Sequence, residues 1–284
     1  MKKLTRRHFL TLAGAAGATG LIASYPFYIE RQLVLTNHYR IPVPNLPSAF
    51  SGFRIIHLTD LHYGLLVSKW FIKSVIARAN KIDGDIVVCT GDYSRERNAT
   101  EEIDIVWPMM SALQSRGGVY SILGNHDHWG DTERSIYWLE RSGQDLRHKT
   151  IAFEREGQRL WLAGAGDLWE DNLELDTLLS EVPDPDCRIV LAHNPDTADT
   201  AFTARVDLFI AGHTHGGQVH IPFVGTPILP VRNKNYSSGL LSSLRGEKVF
   251  ISRGIGWAMF PVRFNCTPEI AVLELVPEPG IAMT

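Results

Sequence analysis

From residue 53 onward, short apolar runs alternate with stretches whose apolar residues recur at helical spacing. Phe53–Leu58 reads as a buried strand. Ser68 can cap a helix in which Phe71, Val75, Ala79 and Ile82 share one face, closed by Gly84. Asp85–Cys89 predicts a second strand, and a helical region follows to about Arg116, where Pro108 should kink or split it. Val119–Leu123 predicts a third strand, and Asp131–Arg141 a helix ended by Gly143. Beyond Thr150 the pattern shifts toward strands, at 150–154, 159–163, 188–192, 207–211, 248–252 and 270–275. Short helices near 173–180 and 196–203 are interposed. Strand–helix alternation followed by strand-rich chain predicts a single α/β domain with packed mixed sheets.

The first residues follow a different pattern. Lys2, Lys3, Arg6 and Arg7 precede 21 uncharged residues, Phe9–Ile29, rich in Ala, Gly and Leu. A basic start before an apolar run is export-signal architecture. Thr5-Arg6-Arg7-His8-Phe9-Leu10 resembles the twin-arginine signal, which is read by a translocase that exports folded proteins. The same run just reaches the ~20 residues that span a bilayer, so residues 9–29 are also a candidate membrane association. Small-x-small triplets fall early in the run, which makes cleavage doubtful. The expected organisation is a signal or anchor at 1–29, a proline-bearing connector at 30–52 and a catalytic domain at 53–284. The expected location is the periplasm or the outer face of the cytoplasmic membrane, with the translocase as a transient partner.

Composition narrows the classes. The chain has 284 residues, 44% hydrophobic and 21% charged, which excludes a disordered or collagen-like chain. Its formal charge of -3 becomes -7 without residues 1–29, which carry four basic and no acidic side chains. Binding to a nucleic-acid backbone is therefore not expected. Cys89, Cys187 and Cys266 lack CxxC spacing and are expected to be buried free thiols.

Candidate chemistry lies in five segments that follow predicted strands. They are Asp60-Leu-His62, Gly91-Asp92, Gly124-Asn125-His126-Asp127, His193-Asn194 and Gly212-His213-Thr-His215-Gly216-Gly217. Strand ends are where α/β folds place ligands. Imidazole, carboxylate and amide oxygen without thiolate favour Mn, Fe or Zn at a hard or borderline site. His213 and His215 would alternate across an extended strand, so both can reach one site only where the chain bends. Gly212, Gly216 and Gly217 permit such a bend. Singly each segment is an ordinary turn; together and in order they point to a metal site. His57, inside a strand pattern, reads as core.

This ordered set resembles the calcineurin-like metallophosphoesterase superfamily, with its D-x-H, G-D, G-N-H-D/E, H and G-H-x-H pattern, over about residues 53–275. GHTHGGQ at 212–218, LAHNPD at 191–196 and the twin-arginine start further resemble the bacterial YkuE/YaeI-like phosphodiesterases. The resemblance implies a sandwich of two mixed β-sheets flanked by helices. It implies two divalent metal ions, Mn before Fe, Zn or Mg, with a metal-activated hydroxide attacking a phosphate ester. Asp60, His62 and His215 would hold one ion, Asn125, His193 and His213 the other, with Asp92 between them. His126 would protonate the leaving group or contact the phosphate. Asp127 either accepts the other ring proton of His126 or holds a turn.

The substrate class stays open between a phosphodiester, a phosphomonoester and a UDP-diacylglucosamine-type or other phospholipid substrate. A non-catalytic scaffold is disfavoured because every ligand position is filled. Gly166–Trp169 reads as a strand-end turn with a packed Trp, and Trp129 could line the cleft. The apolar, proline-rich stretch Gln218–Val231 reads as irregular chain covering the core rather than a substrate lip.

Overall fold

The computed structural model describes residues 5–171 and 174–278. In chain order its elements are α1 (Arg6–Tyr28), β1 (Leu35–Val43), β2 (Arg54–Leu58), α2 (Lys69–Ala79), β3 (Ile86–Cys89), α3 (Thr100–Met110), β4 (Val119–Ser121) and α4 (Asn125–Arg141). There follow β5 (Thr150–Arg155), β6 (Gln158–Gly164), α5 (Leu175–Leu178), β7 (Cys187–Leu191), β8 (Leu208–Ala211), β9 (Gly239–Ser242), β10 (Lys248–Ile251) and β11 (Glu269–Pro277).

Two mixed sheets result, ordered β1-β11-β2-β3-β4 and β5-β6-β7-β8-β10-β9. Period-two alternation explains how they pack. Ile55, Val88 and Leu273 of the first sheet meet Leu162, Ile189, Leu191, Leu208 and Ile210 of the second in the interior. Their sequence neighbours Ile56, Val87 and Cys89 face outward, under Phe71, Val75 and Trp107 of α2 and α3. On the opposite side Val190, Phe209 and Val249 are covered by Leu178, Phe202 and Tyr236. The molecule is thus a sheet-on-sheet sandwich with helices outside, as expected. All three cysteines are buried and free.

Some boundaries differ from the sequence reading. Residues 35–43, inside the expected connector, form β1, which pairs in parallel with β11 from Leu35–Glu269 to Val43–Pro277. An edge strand with one buried side has a weak hydrophobic signal, so Pro42 and Pro44 dominated the reading. Pro108 does not split α3; it sits in the last turn, and the helix ends at Met110. α4 begins earlier than expected, at Asn125, but Asp131 is non-helical (φ -174°, ψ 103°) and caps the second half by accepting from the N–H of Arg134 at 3.0 Å. Part of the helix expected near 173–180 lies outside the described residues, and α5 forms at its centre. Strand β9 had no counterpart in the expectation.

The N-terminal helix α1 is 23 residues long, capped by Thr5, whose hydroxyl accepts from the N–H of His8. Among the described residues no helix is long and apolar enough to cross a membrane. The end of α1 is joined to the domain: Arg263 N–H donates to the Pro26 carbonyl at 3.1 Å, and Cys266 N–H donates to the buried Glu30 carboxylate at 2.7 Å.

Candidate metal centre

Strands β2, β3 and β4 run parallel in one sheet, and β7 and β8 run parallel in the other. The loops leaving their carboxyl ends meet. They bring together Asp60, His62, Asp92, Asn125, His193, His213 and His215, each no more than 5% exposed. Five of these residues have left-handed backbone: Asp60 (φ 55°), His62 (48°), Asp92 (58°), His213 (68°) and His215 (53°). This region is costly for residues with a Cβ and is tolerated best by Asn, Asp and His, so the surrounding fold must enforce it. The positive φ at both His213 and His215 is the bend that lets both rings reach one place. Gly212 contributes differently from expectation: a Cβ there would lie 2.2 Å from Thr59 Oγ1 and 2.4 Å from Asp60 Oδ2. Gly124 is equally crowded, its Cβ position 2.3 Å from Asp92 Oδ1.

The candidate ligand atoms form two sets. His62 Nε2 and His215 Nε2 are 2.9 Å apart, and Asp60 Oδ1 lies 3.9 and 3.3 Å from them. In the second set His193 Nε2 is 3.1 Å from His213 Nδ1 and 3.2 Å from Asn125 Oδ1. Asp92 Oδ2 belongs to both, 3.2 Å from His193 Nε2 and 3.4 Å from His62 Nε2.

The tautomers test whether this donor set fits metal. His193 Nδ1 donates to the Thr90 carbonyl at 2.7 Å, and His213 Nε2 donates to the Pro230 carbonyl at 3.0 Å. A carbonyl only accepts, so in the neutral rings His193 Nε2 and His213 Nδ1 carry lone pairs. They face each other and the oxygens of Asp92 and Asn125, a grouping that is repulsive unless a positive charge, a proton on His193 or a shared metal ion, stands among them. Ligands bound to one ion at ~2.1 Å lie roughly 3–3.4 Å apart, which most of these separations match. The residues fit a pair of ions.

Charge in the unliganded chain follows the same grouping. Burial pushes His62 and His215 well below the ordinary imidazole range and His213 down to about 3. Burial would also lower His193, but the carboxylate of Asp92, aided by Asp60 and Asp167, overrides it and raises this ring to about 10. Burial alone would raise Asp92; His193 and its neighbours outweigh it and hold the carboxyl well below the usual range. Asp60 is shifted upward by burial.

His126 is half-buried, its ring edge-on to His62 at a centroid distance of 4.6 Å. Its Nδ1 bonds the Arg95 carbonyl at 2.6 Å, so Nδ1 carries the proton. Asp127 is therefore not the partner of that ring. Its carboxylate accepts the backbone N–H groups of Asp92 (2.8 Å), Tyr93 (2.9 Å), Ser94 (3.2 Å) and Gly124 (3.0 Å). The catalytic assignment of Asp127 is corrected to a structural one: a buried carboxylate with four amide donors clamps the loops after β3 and β4 together.

Other residues belong to the site without a readable sequence signal. Arg263 is fully buried behind His215, with Nη2 3.4 Å from Nδ1 of that ring, and donates to the carbonyls of Gly256, Arg253 and Cys266. Asp167 is a turn residue, accepting from Trp169 N–H (2.9 Å) and Glu170 N–H (3.0 Å). Trp169, however, is not packed away: it is 47% exposed with its ring 4.7 Å from that of His213. Trp129 lines the same cleft, and so do Gln218, Val219, Pro227, Ile228 and Pro230, while Leu229 and Val231 of the same stretch pack on the core. His57 is fully buried, as expected of a core residue.

Comparison with known proteins agrees with this geometry. Residues 53–217 match the sequence model described as Calcineurin-like phosphoesterase. The chain is 31% identical over 284 residues to the uncharacterized metallophosphoesterase YkuE of Bacillus subtilis (strain 168), covering 97% of this chain and 99% of that protein. It is likewise 31% identical over 281 residues to phosphodiesterase YaeI of Escherichia coli (strain K12), covering 96% and 100%. A solved structure, that of Haemophilus influenzae NAD nucleotidase (NadN), overlaps 72% of this chain and 45% of its own at a TM-score of 0.45 and 15% identity.

Proposed function

From the premise that this chain belongs to the calcineurin-like phosphoesterase family and is a metal-dependent phosphoester hydrolase, we propose that it is an exported phosphodiesterase with two metal ions. Asp60, His62 and His215 would hold one ion, Asn125, His193 and His213 the other, and Asp92 would serve both. The observation that carries this reading is the position of Asp92 Oδ2 between the two ligand sets, 3.4 Å from His62 Nε2 and 3.2 Å from His193 Nε2. An anionic oxygen there would offset the mutual repulsion of two cations held by the two sets. When bound, the ions supply Lewis acidity that activates water and neutralises charge on the phosphoryl oxygens.

The chain's own residues prepare the site. The N–H of His126 donates to Asp92 Oδ1 at 2.9 Å, which holds one carboxylate oxygen so that the other faces the ligands. Thr90 and Pro230 set the His193 and His213 tautomers. With Nδ1 of His126 committed to Arg95, Nε2 is the atom that takes or gives a proton. The imidazolium form donates it to the leaving oxygen, the general-acid role open to an imidazole placed beside the ligand cluster. The name of the similar YaeI supports a diester substrate. Mn is the proposed metal because an oxygen- and imidazole-rich site built during cytoplasmic folding selects by availability rather than affinity. The Arg6-Arg7 start supports export by the twin-arginine route.

One panel tests the activity: bis(p-nitrophenyl) phosphate and p-nitrophenyl phosphate, each with added Mn, Mg, Zn or Fe. Mn-dependent hydrolysis favouring the diester is expected, and activity unaffected by chelation would overturn the reading. Fractionation of cells carrying wild-type or Arg6→Lys/Arg7→Lys protein tests export, which the double variant should block.

A further inference from the structure

Beside the metal ligands opens a cleft of about 430 Å³ whose outer part is apolar. One wall is Pro227, Ile228 and Pro230; the other is Met259, Phe260 and Val262. Both walls are fastened to the metal loop. The Pro230 carbonyl accepts from His213 Nε2, and a Cβ on Gly217 would lie 2.9 Å from the Ile228 carbonyl, so that wall packs on bare backbone. The second wall is stapled by Gln218, whose Oε1 accepts from Ala258 N–H at 2.6 Å and whose Nε2 donates to the Phe260 and Val262 carbonyls at 3.2 and 3.5 Å.

These bonds decide what the cleft can recognise. Gln218 turns its carbonyl oxygen and both amide hydrogens to the wall. Thr214 Oγ1 is committed to the Ser237 carbonyl and accepts from Gly216 N–H, and Trp129 Nε1 donates to Glu170 at 2.6 Å. The polar groups remaining for a ligand sit at the metal end, whereas Ile228 (58%), Met259 (68%) and Phe260 (61%) stand exposed at the other. Between these two walls a sugar or a base would lose its hydration without a side-chain hydrogen bond in return, at a cost that burial of hydrocarbon does not incur.

Resting on the phosphodiesterase reading, we infer that this cleft is the binding site for a hydrocarbon chain esterified to the substrate phosphate. The substrate class is an alkyl- or acyl-bearing phosphodiester, its phosphate at the ligand cluster and its chain between the walls at 227–230 and 258–262.

The test is a chain-length series of n-alkyl p-nitrophenyl phosphates, methyl to octyl, assayed with Mn below the concentrations at which they form micelles. Burial of successive methylenes should raise kcat/KM about two- to fourfold each until the cleft is filled. The double variant Ile228→Ser/Phe260→Ser, with its metal content checked, should reduce the octyl-to-methyl ratio to roughly threefold or less. A flat series on an active enzyme overturns the cleft assignment and leaves the phosphodiesterase reading standing. If no ester is hydrolysed the activity reading fails instead, and calorimetric binding of the matching alkyl methylphosphonates then decides the cleft. Affinity that climbs with chain length sustains the assignment, and affinity independent of length overturns it.

Discussion

His126 and Asp92 are linked through the main chain: the N–H of His126 donates to Asp92 Oδ1 at 2.9 Å, while Oδ2 of the same carboxylate faces His62 and His193. The start of α4 thereby aims the carboxylate that joins the two ligand sets. Asp92→Asn keeps an oxygen for the His126 amide but removes the negative charge. Metal content should drop below two ions per chain, and activity on bis(p-nitrophenyl) phosphate should fall by about a thousandfold or more. Elemental analysis alongside the assay checks this; two retained ions with full activity would defeat the shared-ligand role.

Replacing His126 should separate chemistry from assembly. His126→Ala keeps the backbone donor to Asp92, so metal content should hold while kcat falls about 10²–10⁴-fold. The loss should be smallest for p-nitrophenolate, which leaves without a proton, and larger for poorer leaving groups. An equal loss across a leaving-group series would contradict the proton-donor role.

Asp127→Ala should act on stability rather than on the pH profile. It strips the acceptor from the amides of Asp92, Tyr93, Ser94 and Gly124, all buried. Each unsatisfied donor costs ~1–3 kcal/mol, so urea unfolding should show a loss of about 3 kcal/mol or more. Asp127→Asn, which retains a carbonyl oxygen, should lose less.

Metal loading should depend on pH through His193. This ring is raised from 6.5 to about 10 in the metal-free fold, chiefly because Asp92 overrides burial. A raised imidazole stabilises the metal-free fold fully below its unfolded value, and that contribution is lost as pH rises through about 10. A metal ion must expel the same proton, so its affinity weakens as pH falls across this window. The rise in Tm on adding Mn should be larger at pH 9 than at pH 7. Calorimetry at pH 8 in buffers of different ionisation heat should detect about one released proton from this ring; none released would show that His193 is neutral before metal arrives.

The site was legible in the sequence to the extent that residue type and order suffice. Asp60-x-His62, Gly91-Asp92, Asn125-His126, His193 and His213-x-His215 stand together because each follows a strand, and strand ends meet at one edge. Asp127 was not legible, since a carboxylate beside a histidine looks the same whether it bonds the ring or four amides. Trp169 and the 227–230 wall differ from expectation for a similar reason: an apolar residue reads as buried, and only packing leaves it exposed beside a candidate metal ligand.

By itself the sequence determined the strand–helix alternation from β2 to β4, the chemical identity of the candidate ligands and the basic, apolar start, because these depend on local periodicity and side-chain chemistry. The tertiary structure alone decided that β1 completes the first sheet, that positive φ at His213 and His215 turns both rings inward, and that Arg263 stands behind His215. It also decided which polar groups of the cleft are already hydrogen-bonded, and which apolar side chains stand on its two outer walls. Those outcomes rest on contacts between residues far apart in the chain, which periodicity does not encode.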